Sequence, residues 1–352
     1  MRKFSFHEAL NRHPEITDDP VSVRSLMEHF KIAPSVAQLL RRMGPFNGYE
    51  DGFRFENDFA ITFEQGEDFL NVLTDAVVDG VVERAIGLYI GKLEGIDLNP
   101  IPGLETRIPD EVLDFVYGRL ETELLARIAD MFTNPMGSDY GRCGGMAFAG
   151  YDFYLAGIPI DTTITSPPAE GPLGDYIYDR LLDSLRLNIG TFLDWKVDLK
   201  LRGHLNLVAK EALAAAIGTV VFGPIGAAIL AYIAAQTDIF GFPSGEEILL
   251  DSSKREWAKL KEVLDQQAAW PLGLVKDGWA PWKDHQVLAI GYTDDATGQS
   301  LSIWDNENGA SEDTLVLDFG GGELTTSGAY TNVKGIFRER YSVRRPPESL
   351  GP

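Results

Sequence analysis

Residues 141–150 read GRCGGMAFAG and carry Cys143, the one cysteine in a chain of 352 residues. With no second cysteine there is no internal disulfide, and the surroundings of the sulfur fit a nucleophile. Gly141, Gly144 and Gly145 leave room beside it. Met146, Phe148, Ala149, Phe153 and Ala156 then space out as a packed helix that Gly157 and Pro159 end. A thiol in the first turn of a helix sits among N–H groups that lack helical partners. Those groups favour a thiolate and can receive the oxyanion formed when a carbonyl is attacked. Taken alone, the same residue also reads as a small buried cysteine in a glycine-rich turn.

Two downstream segments give the cysteine possible companions. In HQVLAIGY, 285–292, His285 opens a strand-like run in which Val287 and Ala289 share its side. A histidine at the end of a strand can take the proton from a thiol and return it to a leaving group. In SIWDNENG, 302–309, residues 300–304 predict the next strand after a turn through Asp294, Asp295, Thr297 and Gly298. That hairpin brings Asp305 to the rim beside His285, where a carboxylate would hold the imidazole tautomer and steady its cation. Asn306 is the reserve choice, because a one-residue change of register reverses the face. DNENG also reads as an ordinary turn.

The combination of CGGM before an aromatic-rich helix, HQVLAIGY, and an aromatic-Asp-Asn segment resembles a bacterial branch of the papain-like cysteine hydrolases, related to peptide-processing cysteine peptidase domains. The resemblance spans roughly residues 130–345. It implies an α+β papain-like fold, with Cys143 as nucleophile, His285 as proton carrier and Asp305 as its orienting group. PLGLV, 271–275, looks like the strand entering the active-site half, and GIFRERY, 335–341, like its closing strand. Where such enzymes carry an oxyanion-supporting glutamine six residues before the cysteine, this chain has Gly137, with Asn134, Ser138 and Tyr140 as nearby polar substitutes.

The remaining sequence must position these residues. At 44% hydrophobic composition the chain can bury a sizeable core, and the order of helices before strands indicates α+β rather than alternating βαβ units. The organisation expected is a helical accessory domain at 1–130, a papain-like domain at 131–345 with an apolar helical insertion at 204–240, and a tail at 346–352. Val23, Leu26, Met27 and Phe30 form one apolar helical face, and Val36, Leu39, Leu40 and Met43 another. Residues 44–58 interrupt them with an aromatic, turn-rich stretch. Helical patterning resumes over 69–90 and 112–128. Tyr176, Leu181 and Leu185 suggest a further helix, and Ser253 with Glu256 a capping box before a helix carrying Trp257, Leu260 and Leu264. Strands are predicted at 271–276, 285–292, 300–305, 314–319 and 335–343.

A net charge of −22, from 53 acidic and 31 basic side chains, argues against binding to nucleic acid or anionic membranes through the global field. Arg338, Arg340, Arg344 and Arg345 read as a solvated strand and tail. Residues 212–237 carry no formal charge, yet Gly218, Gly223, Pro224 and Gly226 favour a broken helix or hairpin over a single span. This segment reads as buried, or as a surface for a membrane or another protein. No metal or cofactor motif is present, and GGG at 320–322 reads as a turn. The start of the chain becomes polar too early for a secretory signal, so a cytoplasmic location is expected, with non-classical export left open. The expected function is peptide or related acyl hydrolysis through a thioester. The alternatives are cysteine transferase or deamidase chemistry, or a noncatalytic papain-like protein that binds a protein or membrane. Oligomeric state is not indicated.

Overall fold

A computed structural model of the protein describes residues 46–59, 68, 71–72, 80–95, 107–133, 141–168, 170–220, 243–266, 269–278, 283–327 and 332–347. Among the described residues are helices α1 (Gly48–Asp51), α2 (Val82–Glu94), α3 (Asp110–Thr133), α4 (Cys143–Ala156), α5 (Gly171–Lys196), α6 (Arg202–Val220) and α7 (Gly245–Leu264). The strands are β1 (Trp270–Lys276), β2 (His285–Asp295), β3 (Gly298–Trp304), β4 (Asp313–Asp318), β5 (Glu323–Thr326) and β6 (Val333–Arg338). The chain divides into two interleaved compact units. One takes in the described residues within Met1–Leu73, Met136–Phe192 and Leu249–Pro352, the other those within Thr74–Pro135 and Leu193–Ile248.

In the first unit the six strands pair antiparallel in sequence order, and β6 pairs back onto β1 to close a barrel. Alternation is sharp in β3 and β4, where Leu301, Ile303, Leu315 and Leu317 are buried while Ser302, Thr314 and Val316 are exposed. Residues 271–275 of β1 are instead buried throughout, because α4 packs against β1 and β2. Helix α4 is itself enclosed, with every residue from Gly144 to Tyr154 buried. It approaches α5 so closely that a Cβ on Gly145 would stand 2.1 Å from the Ile177 carbonyl oxygen, so only glycine fits there. Its buried Asp152 carboxylate accepts from Tyr176 at 2.8 Å and Tyr341 at 2.5 Å and lies 2.7 Å from Arg180. One charge thereby ties α4, α5 and the chain after β6 together.

This closed barrel corrects the expected architecture. The chain is α+β, but its strands curl into a barrel with separate flanking helices, where the resemblance implied the two-lobe packing of a papain-like cysteine hydrolase. The papain-like assignment, and the description as a thiol protease that came with it, are overturned. The cysteine and histidine motifs report only their immediate neighbourhoods, whereas closure depends on pairings remote from both. One is the β4–β5 hairpin, in which Leu317 faces Leu324 and whose β5 the pattern reading missed. GGG at 320–322 lies in its turn.

A second correction concerns α7. The helix starts at Gly245, and its capping box is Ser244 with Glu247: Glu247 N donates to Ser244 Oγ at 3.2 Å, and Ser244 N to Glu247 Oε2 at 2.8 Å. Ser253 and Glu256 lie inside the helix and serve the barrel instead. Ser253 Oγ accepts from Ile336 N at 3.0 Å and Glu256 Oε2 from Arg338 N at 3.2 Å. The arginine-rich end is also engaged, since Arg344 lies 2.9 Å from Asp179 and packs over Tyr176.

The second unit is helical among its described residues. Val82, Ile86, Tyr89 and Leu93 of α2 and Val112, Val116, Leu120 and Leu124 of α3 are buried at helical spacing. Tyr89 donates to the Arg202 carbonyl at 3.2 Å, and His204 Nε2 meets Glu123 at 2.6 Å. Of the apolar segment, residues 212–220 end α6, with Ala212, Leu213 and Ala216 buried. No helix among the described residues is long and apolar enough to cross a membrane. Residues 221–237, and the apolar faces between Val23 and Met43, lie outside the described residues.

Candidate active site

Cys143 is the first residue of α4, half-buried, and Arg142 is the N-cap. The cap is held by its side chain and its backbone together. The Arg142 guanidinium lies 4.5 Å from the Phe59 ring centroid and 5.3 Å from that of Tyr178, and donates to the Gly174 carbonyl at 2.9 Å. Its backbone N–H donates to Asn57 Oδ1 at 2.5 Å. The Arg142 carbonyl then accepts from Met146 N at 2.8 Å and starts the helix, leaving the Cys143 N–H without a helical acceptor, as at any first helical position.

His285 opens β2 opposite Leu274 and is 2% exposed. Its Nε2 is 2.6 Å from Asp305 Oδ1, which also accepts from Glu307 N at 3.0 Å. Cys143, in the first turn of α4, acts on the same ring. Burial disfavours the imidazolium, but the Asp305 charge and hydrogen bond, with the cysteine adding to them, raise His285 from 6.5 to about 10. Burial works against the Asp305 carboxylate too, and the facing imidazolium outweighs it, holding the carboxyl below its usual range. His285 and Asp305 therefore meet directly, and Cys143 is tied to their strands through Asn306.

A bulge selects the carboxylate. The β2–β3 register shifts between Ala289 and Gly291, so that Leu288 rather than Ala289 faces Trp304. Continued one step, this register puts Asp305 on the face of Val287 and His285, and Asn306 on that of Gln286. Asn306 Nδ2 accordingly donates to the Gln286 carbonyl at 2.9 Å and the Cys143 carbonyl at 3.0 Å, pinning the cysteine helix to the histidine strand. Trp304 steadies the strand end. It is fully buried, donates to the Gly309 carbonyl at 2.8 Å, and packs 5.5 Å from Phe46 and 6.0 Å from Phe53.

Several contributors were not singled out from sequence. In FRFENDF, 53–59, Phe53, Phe55, Asn57 and Phe59 are buried at every second position. That strand-like alternation was the available signal that the segment is extended and enters the core. On the face of β2 away from His285, Gln286 Nε2 donates to the buried Glu339 at 2.6 Å. Burial pushes the Glu339 carboxyl up to about 8, against the opposing effects of Gln286 and His285. Nothing local in the sequence marks that pair. Asn134, Ser138 and Tyr140 lie outside the described residues. No group of three or more acidic, histidine or cysteine side chains that could hold a metal occurs among the described residues.

No family model, curated protein or solved structure matches this chain. Its functional reading therefore rests on the chemistry of its own residues.

Proposed function

We propose that this protein is a cysteine-dependent hydrolase of peptide or related acyl bonds that works through a thioester on Cys143. The supporting observation is the buried 2.6 Å pair of His285 and Asp305, with Asn306 next to it holding the Cys143 carbonyl at 3.0 Å. In this reading the proton of the sulfur passes to His285 as the nucleophile forms. The sulfur adds to the acyl carbon, and the carbonyl electrons move onto oxygen, where the Cys143 N–H at the start of α4 can meet them. As the tetrahedral species collapses, the bond to the leaving group breaks, and imidazolium gives that group its proton. The now neutral imidazole takes a proton from water, and the resulting hydroxide attacks the thioester. Acid is released, and the proton on imidazolium restores the starting pair. Asp305 keeps one tautomer facing the sulfur and stabilises each imidazolium.

The test is intact-mass detection of Cys143 acylation by a panel of acyl and electrophilic peptide probes, comparing the native chain with Cys143→Ala and His285→Ala. Labelling lost in the first and strongly slowed in the second is the expected result. Equal labelling of native protein and His285→Ala would reduce Cys143 to an exposed thiol and end the proposal.

A further inference from the structure

We infer that the Asn57 side-chain amide is the second oxyanion donor of this site, acting with the Cys143 backbone N–H. The inference rests on the acyl-transfer reading above and adds a catalytic residue from a segment far from the cysteine in sequence. Asn57 is 9% exposed, at the inward position of the alternating stretch that also buries Phe55 and Phe59. Its amide orientation is determined by its partners. The Arg142 N–H is a donor, so the atom 2.5 Å from it must be Oδ1, and Nδ2 must point away, where it meets the Glu307 carboxylate at 3.2 Å. That contact uses one Nδ2 hydrogen and leaves the second for a ligand.

The amide is held between chain neighbours of the reacting groups. On one side it holds the residue immediately before Cys143. On the other it reaches Glu307, whose own N–H donates to the Asp305 oxygen that faces His285. The chain makes room for it at Gly141, where a Cβ would stand 1.9 Å from Asn57 Nδ2. Any larger residue at 141 must displace the amide. A neutral N–H donor anchored through its oxygen to the N-cap of α4, one residue before the cysteine, is of the type that receives charge developing on a carbonyl oxygen. Removal of one such donor slows acyl transfer by about 10²–10³-fold.

The test compares two reactions of Cys143 in the full chain. Iodoacetamide alkylates sulfur by displacing iodide, with no carbonyl oxyanion, whereas p-nitrophenyl acetate must pass through one. Asn57→Ala is expected to lower the acetylation rate by about 10²–10³-fold while leaving alkylation within about twofold. Asn57→Asp, which keeps an acceptor for the Arg142 N–H but has no donor, is expected to shift the ratio of the two rates at least as far. Gly141→Ala is expected to shift it in the same direction. An unchanged ratio in both Asn57 variants, whether the two rates hold or fall together, would make Asn57 a purely structural support and overturn the inference while leaving the hydrolase reading standing. If the native protein is alkylated but never acetylated, the hydrolase reading fails and the inference with it.

Discussion

Replacing Asp305 by asparagine keeps the side chain's shape and an oxygen for the Glu307 N–H, but removes the charge 2.6 Å from His285 Nε2. In the native site that charge overcomes burial and carries His285 to about 10. Without it the burial penalty remains, and the imidazole falls to its ordinary value of about 6.5 or below. At pH 7.5 the protonated fraction then drops from nearly complete to about one-tenth or less. Alkylation of Cys143 by iodoacetamide at that pH, followed by intact mass, should slow about tenfold or more, in proportion to the imidazolium lost beside it. The deficit should close toward pH 10, where the native His285 also loses its proton. Stability should follow the same charges. The contribution of His285, whose folded pKa is raised, is complete below about 6.5 and lost as pH rises through about 10. That of Asp305, whose folded pKa is lowered, is complete above about 3.9 and lost as pH falls. Urea denaturation of Asp305→Asn should therefore show its largest deficit between those limits, about 3–5 kcal/mol for a broken buried pair. An alkylation rate and pH profile identical to the native protein's would refute the view that Asp305 holds the proton on His285.

Three further outcomes are expected. Trp304→Ala removes a fully buried indole and its bond to Gly309, and should cost about 3–5 kcal/mol in chemical denaturation; a cost below about 1 kcal/mol would mean that the aromatic cluster with Phe46 and Phe53 does not anchor the end of β3. Ser253→Ala strands the buried Ile336 N–H and should destabilise by about 1–3 kcal/mol, with hydrogen exchange at Ile336 accelerated; unchanged exchange there would contradict the role assigned to Ser253. Glu339, raised to about 8, favours the folded state fully below about 4.5 and loses that contribution as pH rises through 8, so Glu339→Gln should make the decline in stability over this window shallower than in the native protein; parallel pH curves for the two proteins would count against a protonated Glu339 in the native core.

The parts of the site readable in one dimension are those governed by near neighbours along the chain. Glycines flanking Cys143 followed by an apolar run predict a helix that starts at the sulfur, and α4 starts there. Period-two patterning and a turn through Asp294–Gly298 predict the β2–β3 hairpin, and the strands meet across Asp295 and Gly298. The α7 cap was misplaced because Ser253-x-x-Glu256 matches the capping pattern, although both side chains are committed to β6 backbone groups that no local window contains. The same limit hid Asn57, whose partners Arg142 and Glu307 lie far along the chain.

Local backbone preference is enough to read the chemical inventory along the chain, one thiol at a helix start, one imidazole at a strand start and a carboxylate beside an amide at a strand end. Tertiary structure decided that the strands close into a barrel, that a distant asparagine reaches the cysteine loop, and that Asp305 rather than Asn306 faces His285. The last choice shows the reason most directly. Side chains alternate across a strand, so a single extra residue in β2, between Ala289 and Gly291, exchanges the two candidates between faces. Such a bulge shows only in the pairing of β2 with β3, which a linear pattern does not contain.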